Sequence, residues 1–293
     1  MKQYQELLTT ILDSGTRQKN RTGIDTFMIP GYMMKFDLRQ GFPALTTKKL
    51  AFKSMVGELL AFLRGANTVK QFNDLGCKFW DANGSAPAWV NNINRLSRVY
   101  FDEEGVSHDA GDLGRIYGVQ WRDWLTNANG DHLDQLENLL SEIKTNPTSR
   151  RLIVSAWRPD ELTKMALPPC HYSFQVIIEQ ESKTMHLLWN QRSCDVFLGI
   201  PMNIASYAIL LHVLARITGY NVGTLTGFLA DVHIYENHLA QVKEQLLRNP
   251  YDLPHLKISD RVVEGTKVED IKPEDIELVG YECHAAIKAE MAV

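Results

Sequence analysis

The chain has 293 residues, 44% of them hydrophobic, and a formal net charge of -4, enough apolar material for a substantial core and too acidic a balance for a general nucleic-acid surface. No basic-then-apolar leader opens the sequence and no uncharged apolar run reaches the ~18 residues of a spanning helix, so no membrane segment is expected and the expected address is cytoplasmic.

In chain order, residues 4–13 read as an amphipathic helix with Leu8, Ile11 and Leu12 on one stripe, closed by Gly15. Asn20-Arg21-Thr22-Gly23 is a turn. Residues 52–62 give a second helix with Glu58 inside its apolar stretch. Residues 84–111 interrupt the periodicity with Gly, Ser, Pro and Asn and are expected to form an irregular surface insertion. A helix follows at 133–144, then a buried strand over 150–157 and further strands at 172–179 and 185–191. Residues 204–218, apolar on most sides, form a core helix ending at Gly219. Asp231-Val232-His233-Ile234-Tyr235 alternates at strand period, and residues 236–247 give a last helix burying Leu239, Val242 and Leu246. No repeat or linker divides the sequence, so one α/β domain over 1–293 is expected.

The chemistry concentrates in three blocks. They are Pro168-Pro169-Cys170-His171, Gln191-Arg192-Ser193-Cys194-Asp195, and the run from Gly199 to Tyr207 that contains Asn203. The four cysteines, Cys77, Cys170, Cys194 and Cys283, are too few for a disulfide framework and none has C-x-x-C spacing, so they read as thiols. Two prolines before Cys170 force an extended approach to the next strand and can hold a thiol at a cleft mouth, where Arg192 would favour the thiolate or receive a phosphate. Cys194 has no such neighbours and reads as packing. Arg150 and Arg151 diverge to opposite strand faces, so they either solvate a sheet edge or reach a partner subunit. Arg21, Arg192 and Ser193 are further phosphate donors. Asn203 either caps the core helix or offers one donor and one acceptor to a uracil edge. His233 and Tyr235 share a strand face and suit a sugar hydroxyl or the core. Glu58, among Met55, Leu59, Leu60 and Phe62, is either an exposed helical acid or a buried carboxyl with a raised pKa.

The three blocks occur in order with Thr46-Thr47-Lys48-Lys49, Tyr117-Gly118-Val119-Gln120-Trp121 and Ser149-Arg150-Arg151, and the chain resembles the thymidylate synthase family over nearly its whole length. The resemblance implies an α/β (α+β) fold with a large mixed sheet, packed back to back with a second copy in a homodimer. It implies that Cys170 attacks C6 of dUMP, with Glu58, Tyr117, His171, Asp195 and Asn203 in the catalytic network. It assigns nucleotide binding to Arg21, Gln191, Arg192, Ser193, Asp195, Asn203, His233 and Tyr235, with Arg150 and Arg151 supplied by the partner chain. Trp80, Asp195, Leu198, Gly199, Met202 and Ala292 match the side that binds 5,10-methylenetetrahydrofolate, the implied cosubstrate, and no metal, membrane or nucleic acid is required. The implied products are dTMP and dihydrofolate. Asn83, Ala61, Asn190, Met202, Ala230 and the ending Ala289-Glu290-Met291-Ala292-Val293 depart from the commonest family pattern. They leave a dUMP (less readily dCMP) hydroxymethylase on the same fold as the alternative; a noncatalytic nucleotide- or RNA-binding relative is a separate reading, weakened by the intact surroundings of Cys170.

Overall fold

The computed structural model describes residues 1–20, 22–100, 111–126 and 130–291, with the backbone alone over 94–100. Its strands are β1 (Thr16–Gln18), β2 (Thr26–Asp37), β3 (Trp124–Leu125), β4 (His132–Leu133), β5 (Ile153–Ser155), β6 (His171–Glu179), β7 (Thr184–Asp195), β8 (Asn221–Tyr235), β9 (His255–Ile258) and β10 (Ile276–Val279). Its helices are α1 (Lys2–Ser14), α2 (Phe52–Leu63), α3 (Val69–Asp74), α4 (Asp81–Ser85), α5 (Pro87–Tyr100), α6 (Tyr117–Arg122), α7 (Gln135–Thr145), α8 (Gly199–Thr218) and α9 (Leu239–Leu246).

Among the described residues the main sheet runs β1-β2-β8-β7-β6-β5, with β7 and β8 parallel and every other pair antiparallel. Two parallel neighbours need a long crossover, and α8 provides it. By length and hydropathy α8 could cross a membrane, yet its apolar residues are buried within the protein, against β7, β8 and α2. The inward face of the sheet carries Phe174, Val176, Leu187, Trp189, Leu225 and Leu229, all buried. Each such side chain contributes about 1.5–3 kcal/mol by leaving water. On the opposite face Met33, Ile153, Ile177 and Phe228 stay exposed among polar residues such as Lys35, Gln175 and Asn190.

Several boundaries differ from the sequence expectation, each for a local reason. The core helix starts at Gly199, five residues before the expected Ile204, because Pro201 falls in the first turn, where its missing N–H is one of the donors a helix leaves unpaired anyway. The expected strand over 150–157 shrinks to Ile153–Ser155, and Ser149 Oγ instead accepts from Arg151 N at 3.2 Å. Asp134 accepts from Leu136 N and Glu137 N and starts α7 at Gln135, leaving His132 and Leu133 to pair with β3. The last helix is a short 3-10 turn over Glu236–His238 followed by α9, which buries Val242 fully and Leu239 and Leu246 partly.

The expected irregular insertion at 84–111 is overturned over its first part. Residues 81–85 and 87–100 are helical, Pro87 opens α5, and Trp89 is buried with its Nε1 donating to Asp112 O at 2.7 Å. Gly84 is a packing residue rather than a breaker, since a Cβ there would lie 2.4 Å from Val69 Cγ2. Residues 101–110 lie outside the described residues.

Gly227 makes room for a side chain of the neighbouring strand: a Cβ there would come within 2.3 Å of the Trp189 ring. Gly227→Ala should therefore lower the unfolding free energy by about 1–3 kcal/mol, the usual cost of overpacking, read from the urea midpoint. An unchanged midpoint would show that the indole moves aside freely.

Candidate active site

The start of β6, the ends of β7 and β8, the start of β2 and the start of α8 meet at one edge of the sheet. Cys170 is half-buried immediately before β6. Its backbone N–H donates to the Tyr117 hydroxyl at 2.7 Å, and its carbonyl accepts from Arg192 N at 2.8 Å. The pairing of β6 with β7 shifts register between His171 and Ser173, the irregularity that turns the strand start toward the cleft. Arg192 donates through Nε to Pro169 O at 2.8 Å and through Nη2 to Pro168 O at 3.1 Å, and lies over the Trp157 ring. It thus braces the proline turn ahead of Cys170, and its Nη1 is uncommitted among the described residues.

Behind the cysteine stands an aromatic wall. Phe62 contacts Trp80, Tyr117 and His171, and the His171 ring stacks on Tyr117 with centroids 4.4 Å apart. Desolvation there pushes every group toward its neutral form. The Tyr117 hydroxyl is raised well above its ordinary value, and His171 is lowered to about 3, so it is neutral at working pH. Glu58 is raised from 4.5 to about 7 by burial, against the opposing effect of Trp80 Nε1, which donates to its Oε1 at 2.9 Å. Trp80, expected on the cosubstrate side, is itself 4% exposed and serves as this carboxyl's partner.

On the other flank, Gln191 Nε2 donates to Ser193 O at 3.0 Å and to Asn203 Oδ1 at 3.1 Å. Asn203 sits inside α8 and caps nothing, so its N-cap reading is overturned. The turn before α8 is organised instead by Asp195, whose Oδ1 accepts from Phe197 N at 3.0 Å and Leu198 N at 3.1 Å. Parallel pairing sets Asp195 beside His233 and Ser193 beside Asp231. His233, 6% exposed, meets Asp231 Oδ1 through Nδ1 at 2.9 Å, a bond that holds the Asp231 carboxyl below its usual range, and the Tyr235 ring stands edge-on to it. Leu198, Gly199 and Met202 form a half-exposed, largely apolar ledge at the start of α8, suited to a flat ring.

Cys194 is buried with its thiol pushed up by desolvation, the packing role expected of it. Arg150 and Arg151 are not brought to this site. They are exposed ahead of β5, which runs antiparallel to β6, and so lie toward the opposite end of the sheet, on the order of 20 Å along the strand from Cys170. Among the described residues neither guanidinium has a carboxylate partner. Arg21 and Ala292 lie outside the described residues; nearby, Asn20 accepts from Thr22 N at 2.8 Å and donates to Ile24 O at 2.9 Å.

Three residues were missed from the sequence. The Tyr207 hydroxyl meets His171 Nδ1 at 2.9 Å, and Trp189 Nε1 donates to Gln191 Oε1 at 3.2 Å. Lys48 is buried against Phe197, donating to its carbonyl and lying over its ring, with desolvation lowering its pKa to about 8 against the attraction of Asp195. Only Tyr207 carried a signal, its place four residues after Asn203 on one helix face.

The cleft thus brings together a half-buried thiol, a buried histidine and tyrosine held toward their neutral forms, and a carboxamide held by a second amide. The thymidylate synthase family profile matches residues 2–293, and the chain belongs to that family. It is 40% identical over 320 residues to a thymidylate synthase of Listeria monocytogenes serotype 4b (strain F2365), covering 100% of both chains. A thymidylate synthase of Pseudomonas putida is 41% identical over 335 residues, again with 100% of both covered, and one of Listeria innocua is 41% identical over 320 residues with the same coverage.

The Glu58 shift fixes a pH dependence of stability. Glu58 holds its proton more tightly folded, at about 7, than unfolded, at 4.5. Below the lower value both states are protonated and no penalty exists. Between the two the unfolded chain ionises first and stability falls, and above about 7 the penalty is constant. Glu58→Gln removes it, so the variant's advantage over the parent should grow from near zero below about pH 4.5 to about 3 kcal/mol near pH 8. Urea midpoints of both proteins across this range check it, and a difference independent of pH would return Glu58 to an ordinary carboxyl.

Proposed function

We propose that this cleft carries out the reductive methylation of dUMP by 5,10-methylenetetrahydrofolate, giving dTMP and dihydrofolate, with Cys170 as the nucleophile. The observation that carries the assignment is the register of β6 on β7, which pairs His171 with Gln191. It sets the thiol one residue from the side chain that orients Asn203.

The Cys170 thiolate forms a bond to C6 of the uracil ring, making C5 nucleophilic, and departs when the ring double bond is restored. Methylenetetrahydrofolate supplies the one-carbon unit and the hydride when bound. Leu198, Gly199 and Met202 offer it an apolar ledge, with Asp195 beside them, and Ala292 is assigned to the same side. Trp80 acts toward it through Glu58. The neutral pair His171 and Tyr117, with Glu58 titrating near neutrality, suits moving a proton to and from the ring without a fixed charge in the dry wall. Asn203, its Oδ1 engaged by Gln191, turns its amino group to the ring, and His233 and Tyr235 take the sugar. Arg192, through its uncommitted Nη1, joins Ser193 and Arg21 on the phosphate.

Arg150 and Arg151 complete that phosphate site in a second copy of the chain. Their distance from their own Cys170 supports this, as do the large apolar side chains Met33, Ile177 and Phe228 left exposed on the outer sheet face, which suit a two-fold, back-to-back dimer. One hydrophobic cluster runs from α1 to β10, in keeping with a single catalytic domain, and the enzyme is assigned to the cytoplasm. The relatives, each named thymidylate synthase, support methylation and give the hydroxymethylase reading no support.

Cys170→Ser should bind dUMP and lose turnover, because an alcohol of nearly the same size is a far weaker nucleophile at neutral pH. Substantial turnover by the purified variant would remove Cys170 from the mechanism. Mixed dimers of Arg151→Ala and Cys170→Ala chains should regain one intact site. Failure of such heterodimers to recover activity, with both parents folded and dimeric, would refute the crossing arginine. Asn203→Asp should weaken dUMP turnover and raise the relative acceptance of dCMP, measured as the ratio of kcat/KM values.

A further inference from the structure

We infer that Trp189 is a specificity-setting positioning residue, which fixes the polarity of the carboxamide relay facing the pyrimidine. The inference rests on the reading of Asn203 at the pyrimidine edge and adds the group that determines how Asn203 presents itself. Trp189 is fully buried on β7, in the space left by Gly227, with its ring stacked on Tyr207 at a centroid separation of 5.6 Å and an interplanar angle of 13°.

The direction of each hydrogen bond follows from donor chemistry. An indole N–H can only donate, so the Gln191 atom 3.2 Å from Trp189 Nε1 is the oxygen. A backbone carbonyl can only accept, so the Gln191 atom 3.0 Å from Ser193 O is the nitrogen, which the Trp189 bond independently requires. That nitrogen also lies 3.1 Å from the Asn203 side chain, which must turn its oxygen toward it. Asn203 is left with its amino group facing the cleft. A donor there matches the O4 acceptor of uracil and opposes the 4-amino donor of cytosine. Without the indole N–H, the Gln191 oxygen loses its only donor partner among the described residues, Ser193 O alone then holds the amide, and the polarity that Asn203 follows is less firmly set. The same ring supports the other flank by stacking on Tyr207, whose hydroxyl holds His171. The two contacts are separable, since a phenyl ring keeps the stack and lacks the N–H.

Trp189→Phe should therefore raise KM for dUMP and reduce the dUMP-over-dCMP preference in kcat/KM by about fivefold, the scale of one neutral hydrogen bond, with kcat for dUMP changed by less than about twofold. Trp189→His, which retains a ring N–H, should recover part of the preference. Gln191→Met should reproduce the loss, and Trp189→Phe added to it should cause no further loss. Additive losses in the double variant, or an equal fall in kcat for both nucleotides with preference intact, would show Trp189 acting through packing alone and overturn the inference. One measurement needs no change at Trp189: Gln191→Met should shift one indole N–H resonance in nitrogen-15 spectra, and no shift among the 6 tryptophans would remove the bond. The Asn203→Asp ratio separates the two levels. If it leaves preference unchanged, the pyrimidine-edge reading itself fails; if it shifts preference while Trp189→Phe does not, only the role of Trp189 fails.

Discussion

The parallel pairing of β7 with β8 is the constraint on which the site depends. A parallel pair cannot be closed by a turn, so the chain must leave β7, cross over the sheet and return, and the crossover must bury its backbone and apolar side chains. The 20-residue helix α8 meets that need, and its first turns rise from the same edge where β7 ends. Polar residues at the ends of both strands and on the first turns of the helix thereby converge without any loop having to carry them. Pairing fixes Ser193 beside Asp231 and Asp195 beside His233. A slip of one residue would turn Gln191 away from Asn203 and Trp189 out of the core.

The aromatic wall explains the electrostatics of the cleft with one cause. Desolvation penalises whichever form of a group is charged, and the shifts run that way without exception along this wall. Glu58 and the Tyr117 hydroxyl move up, and His171 moves down. Lys48, outside the wall, obeys the same rule and falls to about 8 in spite of the nearby Asp195. The result is a divided surface. Glu58, Tyr117 and His171 are shifted toward their neutral forms among the rings, while the permanent charge of Arg192 sits at the proline turn, where Trp157 and two backbone carbonyls position it.

Much of this was legible in the sequence because it is local or periodic. The alternation around His233, the apolar density of α8 and the proline approach to Cys170 each follow from neighbouring residues, and the ordered blocks named the family. The misreadings came from residues whose effect depends on what they pack against. Gly84 and Pro87 read as breakers, yet one lets a helix approach Val69 and the other opens a helix at the position where proline is tolerated. Asn203 read as a possible cap because Pro201 seemed to precede the helix rather than sit in its first turn. Trp189 gave no chemical signal, since an aromatic on a buried strand is ordinarily core, and Tyr207 signalled only through its spacing from Asn203; their roles arise from a bond to one partner each. Arg150 and Arg151 posed a problem of direction in the sequence, and their place at the far end of the sheet turns it into one of distance.

The ending of the chain shows why a departure in sequence need not loosen a structure. Tyr281 ties into the segment before α2 through Leu45 O and Leu50 N, and His284 N donates to Thr46 O at 2.8 Å. Arg248 joins Ala285 O to Thr47 O, and His238 Nε2 meets Glu290 O at 2.7 Å. From His284 onward these ties hold the tail mainly by its backbone, which every residue other than proline supplies in full. The side chains of Ala289, Glu290 and Met291 are therefore free to differ from the frequent family ending, and Met291 is largely exposed. The segment that receives the tail also carries Lys48, whose ammonium holds Phe197 O in the turn ordered by Asp195. Tail, receiving segment and helix start are thus linked by hydrogen bonds to main-chain atoms, so side chains along the tail can differ without loosening the link.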